Sequence, residues 1–274
     1  MRRNIVIADS GGSKTHWIMS NNKTYVEFFS SGLHPKEITP QKIEEVKDLF
    51  KGFSLEDYTL YFYGTGCLKE VNQEPVKRLL SILNFNQTQI NGDVLGSCKA
   101  ALGDEPGCVL ILGTGSVGLK YDGSKIIKTY GGLGYPKGDE GSGAQMGRSL
   151  LKSFQQKELH ENLNEQLNEF CLKEGINCNE NLDTIDRKQI ATLTRFIHKH
   201  KEHDHIQNLL AQAFEALYNT TIAPMETNSI SLTGSVAFYF KEELQAFLFS
   251  KQIVVNRIVK YPALNLYSLH YNQR

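Results

Sequence analysis

The sequence predicts a mixed α/β chain built from two related β-rich halves, each opening on a glycine-turned hairpin. Three observations predict it. Residues 5–19 run from an apolar strand (Ile5-Val6-Ile7-Ala8) through Asp9-Ser10-Gly11-Gly12-Ser13-Lys14-Thr15 into a second strand, His16-Trp17-Ile18-Met19, the pattern of a β-hairpin. The pattern recurs roughly a hundred residues on, a spacing that marks an internal repeat, where Cys108-Val109-Leu110-Ile111-Leu112 enters Gly113-Thr114-Gly115-Ser116 and returns through Val117-Gly118-Leu119-Lys120-Tyr121. Each copy continues into a third strand (25–29 and 125–130) and then a Gly-Leu pair followed by a proline, as Gly32-Leu33-His34-Pro35 and Gly132-Leu133-Gly134-Tyr135-Pro136. The third observation is that strands and helices alternate through most of the rest, the order of an α/β protein. Chance likeness of two glycine-rich hairpins is the alternative to a true repeat.

Taken in order, the first three strands lead to a helix over 39–50, with Thr39 as N-cap, Pro40 at its first position and Ile43, Val46, Leu49 and Phe50 on one face. A strand over 58–63 ends in Gly64-Thr65-Gly66, a helix spans 74–83, and a strand over 88–91 leads to Asp93. Residues 93–102 form a helix of small side chains suited to close packing at a hinge, with Asp93 at its start. After the second set of three strands the chain turns helical near 142–158, 161–173, 186–200 and 204–222. The last of these has Ile206, Leu209, Leu210, Ala213, Phe214 and Leu217 on one face. A strand over 229–232 enters Thr233-Gly234-Ser235-Val236-Ala237, where a helix starts; a final strand covers 253–258, and the tail from Tyr261 is short. No low-complexity linker separates the halves.

At 274 residues the chain suits one large domain or two compact ones. Lys+Arg and Asp+Glu both total 30, so no global charge favours nucleic acid or an anionic membrane. Met1-Arg2-Arg3-Asn4 runs straight into a strand without a signal-peptide core, and no apolar run reaches the length of a transmembrane helix. The five cysteines (Cys67, Cys98, Cys108, Cys171, Cys178) are scattered without a C-x-x-C pair, which predicts reduced thiols and a soluble, cytoplasmic protein.

The hairpin glycines let backbone N–H groups approach a phosphate closely, with no Cβ in the way. Asp9, at the end of its strand, is placed to hold a hydrated Mg²⁺ beside such a phosphate; alternatively Asp9 and the glycines serve only the turn. Two such hairpins suggest a nucleotide held in a cleft between the halves. Lys14 either neutralises phosphate charge or is solvated. Two tempting motifs fail on context. Gly113-Thr114-Gly115-Ser116-Val117-Gly118 matches the dinucleotide fingerprint, but a strand follows where that site needs a helix. Ser13-Lys14-Thr15 lacks the glycine frame of a P-loop.

The densest stretch is 131–143, six glycines around Asp139 and Glu140. Carboxylates accept well from sugar hydroxyls, and the loop enters a helix N-terminus that favours anions; capping of that helix by the two acids is the alternative. Asp93 is either an N-cap or the carboxylate that accepts a hydroxyl proton in transfer from ATP. His198, His200, His203 and His205 read as a solvated face rather than a metal site, and Tyr58, Tyr61, Phe62 and Tyr63 as strand packing rather than base stacking.

The residues 9–15, 112–116 and 233–237 resemble the two phosphate motifs and the adenosine motif of the actin/hexokinase/Hsp70 superfamily. The stretch 131–142, with Asn91-Gly92-Asp93, is similar to the BadF/BadG/BcrA/BcrD ATPase family and its N-acetylglucosamine kinase branch. The resemblance implies an α/β fold of two ribonuclease-H-like (actin-like ATPase) domains, 1–103 plus 261–274 and 104–260, with ATP·Mg²⁺ and a sugar in the cleft between them. It implies ATP-dependent phosphorylation of an amino sugar, N-acetylglucosamine or a close relative. Asp93 then matches the catalytic base, and Asp9 a metal acid acting through water. Gly11, Gly12, Ser13, Lys14, Thr15, Gly113, Thr114, Gly115, Ser116, Gly234 and Ser235 match nucleotide positions. His34, Thr114, Gly115, Asp139 and Glu140 match substrate positions. His34 stands where these kinases place an Asn, and Val117 where some relatives carry a polar sugar contact, departures that also suit a sugar or nucleotide sensor that does not turn over. The cysteine pattern disfavours the family's third role, an activator ATPase holding an iron–sulfur cluster. The family includes homodimers, and no interface is legible in one chain.

Overall fold

A computed structural model describes residues 4–21, 24–134 and 138–272; Tyr135, Pro136 and Lys137 of the glycine-rich loop, and the first three residues, lie outside these. The chain divides into two compact units, Met1–Glu105 with Gly123–Lys125 and Tyr261–Arg274, and Pro106–Asp122 with Ile126–Lys260.

In the first unit, β1 (Ile5–Ser10), β2 (Lys14–Asn21) and β3 (Thr24–Ser31) form an antiparallel meander. β4 (Thr59–Gly64) then pairs parallel with β1, and β5 (Gln87–Gly92) parallel with β4, in the order β3-β2-β1-β4-β5. Central β1 is apolar and buried from Ile5 to Ala8 because both sheet faces are covered there. One face packs Val6, Ala8, Trp17, Leu60 and Phe62 against α1 (Pro40–Leu49) and α2 (Glu74–Ser81). The Thr39 side chain caps α1, with Pro40 at its start. The other face carries α3 (Asp93–Leu102) and a C-terminal helix, Pro262–Asn272. There Tyr61 stacks on His270, ring centroids 3.8 Å apart, so the aromatic run is strand packing. The sequence suggests only a short tail at 261, yet Ala263, Leu266, Tyr267 and His270 are buried at helical spacing.

The second unit repeats the scheme. β6 (Gly107–Leu112), β7 (Ser116–Tyr121) and β8 (Ile126–Gly131) form the meander, and the order β10-β9-β6-β7-β8 mirrors the first sheet. β9 spans Ser229–Thr233 and β10 Val254–Val259. The 113–118 glycine motif runs on as strand β7 and not as the helix a dinucleotide site needs. The layers around this sheet are α4 (Gly143–Gln155), α5 (Glu161–Lys173), α6 (Arg187–Thr192), α7 (Thr194–Lys199), α8 (Asp204–Leu217), α9 (Ser235–Tyr239) and α10 (Lys241–Ser250).

Three departures from the sequence expectations have local causes. The helix expected over 186–200 breaks at Leu193, where the flanking Thr192 and Thr194 hydroxyls bond back to the carbonyls of Gln189 and Ala191. The helix expected over 204–222 ends at Leu217 and widens into a π turn over Tyr218–Ile222. Pro224, which lacks an N–H and crowds the carbonyl four residues back, prevents the α register from continuing. The four histidines are half-buried rather than solvated. His198 packs on Tyr239 and Phe240, His200 on Phe196. Among the described residues no group of three or more His, Cys, Asp or Glu side chains could hold a metal, and no helix is long and apolar enough to cross a membrane. The five cysteines are free and buried. A hydrogen bond with the Cys178 thiol, and then burial, pushes the Cys171 thiol up.

Candidate active site

In the first unit the parallel register brings the C-terminal ends of β1, β4 and β5 to one level, at Ser10, Gly64 and Gly92. Ligands of open α/β sheets bind at that edge. Three loops leave it: the Gly11-Gly12-Ser13 hairpin, the Gly64-Thr65-Gly66 turn and the start of α3. The Thr65 N–H donates to the Ser10 carbonyl at 2.9 Å, tying the first two together.

The hairpin is braced from below. Gly11 N–H donates to Lys14 O at 3.0 Å and Gly32 N–H to Ser13 O at 3.1 Å. The Ser10 hydroxyl accepts from Leu33 N–H and bonds the Thr15 hydroxyl, each at 2.9 Å. Thr15 is buried and donates to Ser31 O at 3.0 Å, so its hydroxyl is spent on the fold. Ser13 and Lys14 remain exposed. A Cβ at Gly32 would lie 2.4 Å from Gly11 O and 2.7 Å from Gly12 C. Gly32→Ala should therefore displace the hairpin backbone, lowering stability by about 1–3 kcal/mol and weakening any nucleotide binding that depends on the hairpin. A thermal melt and a nucleotide titration check this, and an unchanged pair of values would contradict the bracing.

Asp93 is the first residue of α3, and Gly92 is the cap, so the N-cap alternative for Asp93 does not hold. Its carboxylate accepts from the Thr65 hydroxyl at 2.6 Å and from Val94 N–H at 3.0 Å. Asp9 is pushed up to about 7, first by burial and then by the charge of Asp93, against the opposing charge of Lys14. Two carboxylates that repel one another offer the oxygen donors a hard divalent cation takes, so Asp9 and Asp93 fit Mg²⁺. His34 Nδ1 accepts from Lys36 N–H at 3.2 Å. Its ring lies against Gly66, where a Cβ would come within 2.8 Å of Nε2. His34 thus adjoins the turn that supplies Thr65.

In the second unit the 113–116 turn closes with Gly113 N–H donating to Gly115 O at 2.9 Å. The turn after β9 lies against the same strand end. Gly234 adopts φ +105°, and a Cβ there would meet Leu112 O at 2.2 Å, so glycine is required. Ser235 is exposed at the start of α9. Ser116 Oγ is buried without a hydrogen-bond partner, a hydroxyl available to a phosphate oxygen, and the glycine turn beside it leaves backbone room for one.

Asp139 is 5% exposed. One oxygen accepts from Ser116 N–H at 3.3 Å, and the other from Arg187 Nη2 at 2.5 Å. Glu140 is half-buried. Neither acid caps α4; Ser142 does, accepting from Gln145 N–H at 3.2 Å. The first-turn donors of α4 are also spent, since Gly143 N–H reaches Gly113 O at 2.8 Å and Ala144 N–H reaches Thr114 O at 3.2 Å. The helix start therefore fixes the 113–116 turn instead of offering an anion site.

The structure thus gathers Asp9, Lys14, His34 and Asp93 at one sheet edge, and Gly113, Thr114, Gly115, Ser116, Asp139 and Gly234 at the corresponding edge of the second unit. Two partners carry no signal as individual residues. Thr65 stands in a visible Gly-Thr-Gly turn, which is a signal for a tight approach though not for its partner. Arg187 follows an N-cap Asp186 and shows no local sign of reaching Asp139.

No protein-family model matches the chain. Over 68 residues it is 40% identical to the glucosamine kinase of Vibrio cholerae, a match covering 25% of this chain and 23% of that protein. Over 217 residues it is 27% identical to the N-acetylmuramic acid/N-acetylglucosamine kinase of Clostridium acetobutylicum, covering 70% and 69%. Its structure superposes on a Porphyromonas gingivalis protein proposed to be an N-acetylglucosamine kinase, with TM-score 0.87, 27% identity and coverage of 98% and 99%. At 12% identity it shares the fold of ADP-bound MreB5 of Spiroplasma citri, TM-score 0.57 over 97% and 94% of the two chains.

Proposed function

Taking this chain as a sugar kinase resembling the BadF/BadG/BcrA/BcrD type, with an actin-like ATPase fold, we propose that it transfers the γ-phosphoryl group of ATP to a hydroxyl of an amino sugar. N-acetylglucosamine or a close relative is the acceptor, and the reaction belongs in the cytoplasm. The observation that carries this reading is the Asp93 carboxylate, held at a sheet edge by the Thr65 hydroxyl and Val94 N–H, with Asp9 and Lys14 close enough to interact through their charges.

In the reaction the sugar oxygen bonds to the γ-phosphorus, the bond from phosphorus to the ADP oxygen breaks, and the hydroxyl proton passes to Asp93. Two hydrogen bonds fix that carboxylate, so its remaining lone pairs face the acceptor without reorganisation. Lys14 lends positive charge to the phosphates, and the hairpin and the 113–116 turn supply backbone donors, as does the hydroxyl of Ser116. Asp9 is the residue that would hold Mg²⁺ through a coordinated water. When bound, that ion supplies neutralisation of the phosphate charge. Asp139, with Thr114, Gly115 and Glu140, accepts sugar hydroxyls, and the 234–235 turn takes the adenosine. His34 sets the acceptor's shape beside the Thr65 turn.

The test is coupled ADP release with N-acetylglucosamine, glucosamine, N-acetylmannosamine and N-acetylmuramic acid. ADP release that requires one of these sugars is the expected result. Hydrolysis of ATP at the same rate without sugar, or binding of sugar with no ADP formed, would replace the kinase with an activator ATPase or a sensor.

A further inference from the structure

The acid assigned to the sugar does not stand alone. Arg187, the first residue of α6, reaches across Gly115 to Asp139. Its start is fixed: Asp186 caps α6 by accepting from Lys188 N–H at 2.8 Å and Gln189 N–H at 3.2 Å. Gly115 makes the crossing feasible. A Cβ at that position would lie 2.2 Å from Arg187 Nη2 and 3.2 Å from the Asp139 oxygen that faces Ser116. Asp139 is almost wholly buried, whereas the Arg187 side chain keeps 40% of its surface. The guanidinium is thus the exposed member of the pair. Its Nε is buried without a partner, so it carries a donor that the fold does not use.

A carboxylate offers about four acceptor sites. Ser116 N–H takes one on the first oxygen, and Arg187 takes one on the second. That leaves each oxygen with acceptor capacity the fold does not use, enough for two neighbouring hydroxyls of a pyranose. Without Arg187 the second oxygen has no fixed donor, and a buried charge is left uncompensated.

We propose that Arg187 is a positioning residue for sugar recognition: through Gly115 it fixes the Asp139 carboxylate in the rotamer that presents two free acceptor sites to vicinal sugar hydroxyls. This rests on the kinase reading above. It assigns a role to Arg187 and gives Gly115 a second reason to be glycine besides close approach of a ligand.

The experiment is a set of variants, Arg187→Ala, Arg187→Lys and Gly115→Ala, with the Arg187→Ala/Gly115→Ala double variant, assayed with N-acetylglucosamine and ATP. Loss of a charge-assisted hydrogen bond predicts a sugar KM raised about 10–100-fold in Arg187→Ala, with the ATP KM unchanged and kcat little altered. Arg187→Lys should restore part of the loss, since an ammonium keeps the charge but not the planar fork. Gly115→Ala should raise the sugar KM by displacing the guanidinium, and the double variant should be no worse than the poorer single variant. An unchanged sugar KM in Arg187→Ala, additive losses in the double variant, or a loss falling on the ATP KM instead would overturn the proposal. Wild-type protein that releases no ADP with any of the four sugars overturns the kinase reading itself, and the inference with it. Circular dichroism melts of each variant separate these effects from unfolding, and Arg187→Lys keeps the charge if Arg187→Ala does not fold.

Discussion

Asp93→Asn should lose about 2–4 orders of magnitude in kcat while ATP still binds. The substitution is nearly isosteric, and the environment tolerates it. Thr65 Oγ and Val94 N–H are both donors to Asp93, and an Asn carbonyl oxygen can accept from one while the hydroxyl of Thr65 turns to accept from the amide. Gly92, not Asp93, is the N-cap of α3, and an Asn carbonyl oxygen can still accept from the first-turn Val94 N–H. What the variant loses is the capacity to take a proton from the attacking hydroxyl. Coupled ADP release gives kcat, and calorimetric titration with ATP gives binding. Turnover within about tenfold of wild type would rule out proton acceptance by Asp93. A parallel Thr65→Val variant should show a smaller loss, because it leaves the base in place and removes only the bond that orients it.

How much of this arrangement is legible in one dimension depends on how far each contact reaches. The β1 hairpin, the Thr39-Pro40 helix start and the small-residue helix at Asp93 are written in adjacent residues: an unbroken apolar run into a glycine turn, a capping hydroxyl before proline, small side chains where backbones meet. The repeat is legible for the same reason, because 9–15 and 113–116 each occupy the turn of a strand pair. The Thr65–Asp93 bond joins residues 28 apart, and the Arg187–Asp139 pair residues 48 apart. Nothing in either neighbourhood names its partner, since only the register of β4 beside β1 and β5, and the docking of α6 on α4, brings them together. The helix break at Leu193 and the π turn before Pro224 are set by threonine hydroxyls and a proline that a hydrophobic-periodicity argument passes over. The capping alternative for Asp139 and Glu140 also illustrates the limit. An acid ahead of a helix suggests a cap, but Ser142, the residue immediately before the first turn, takes that position.

Asp9 should make both metal binding and stability depend on pH in a direction opposite to the ordinary carboxylate. Its carboxyl is raised from 3.8 to about 7, by burial and by Asp93. The metal-free folded protein therefore holds the Asp9 proton more tightly than the unfolded chain does. The stability this contributes is fully present below about pH 4 and is lost as pH rises through about 7, amounting to at most about 4 kcal/mol. His200 and His205 act with the opposite sign. Burial pushes both below the usual histidine range, so the unfolded chain binds their protons more readily and their contribution falls as pH drops. The Asp9 effect is thus read as the difference between wild type and Asp9→Asn, in which the histidines cancel. Thermal melts from about pH 5 to about pH 8 should show that Asp9→Asn gains most over the metal-free wild type at the alkaline end. In the proposed site, Asp9 holding Mg²⁺ would give up its proton to do so, and the ion would offset the charge of Asp93. Its apparent affinity should fall about tenfold for each pH unit below 7, and its stabilisation of the wild type should be greatest near pH 8 and absent from Asp9→Asn. Equal Mg²⁺ stabilisation at both ends of the range, or the same profile in the variant, would place the metal elsewhere and leave Asp9 a turn residue only.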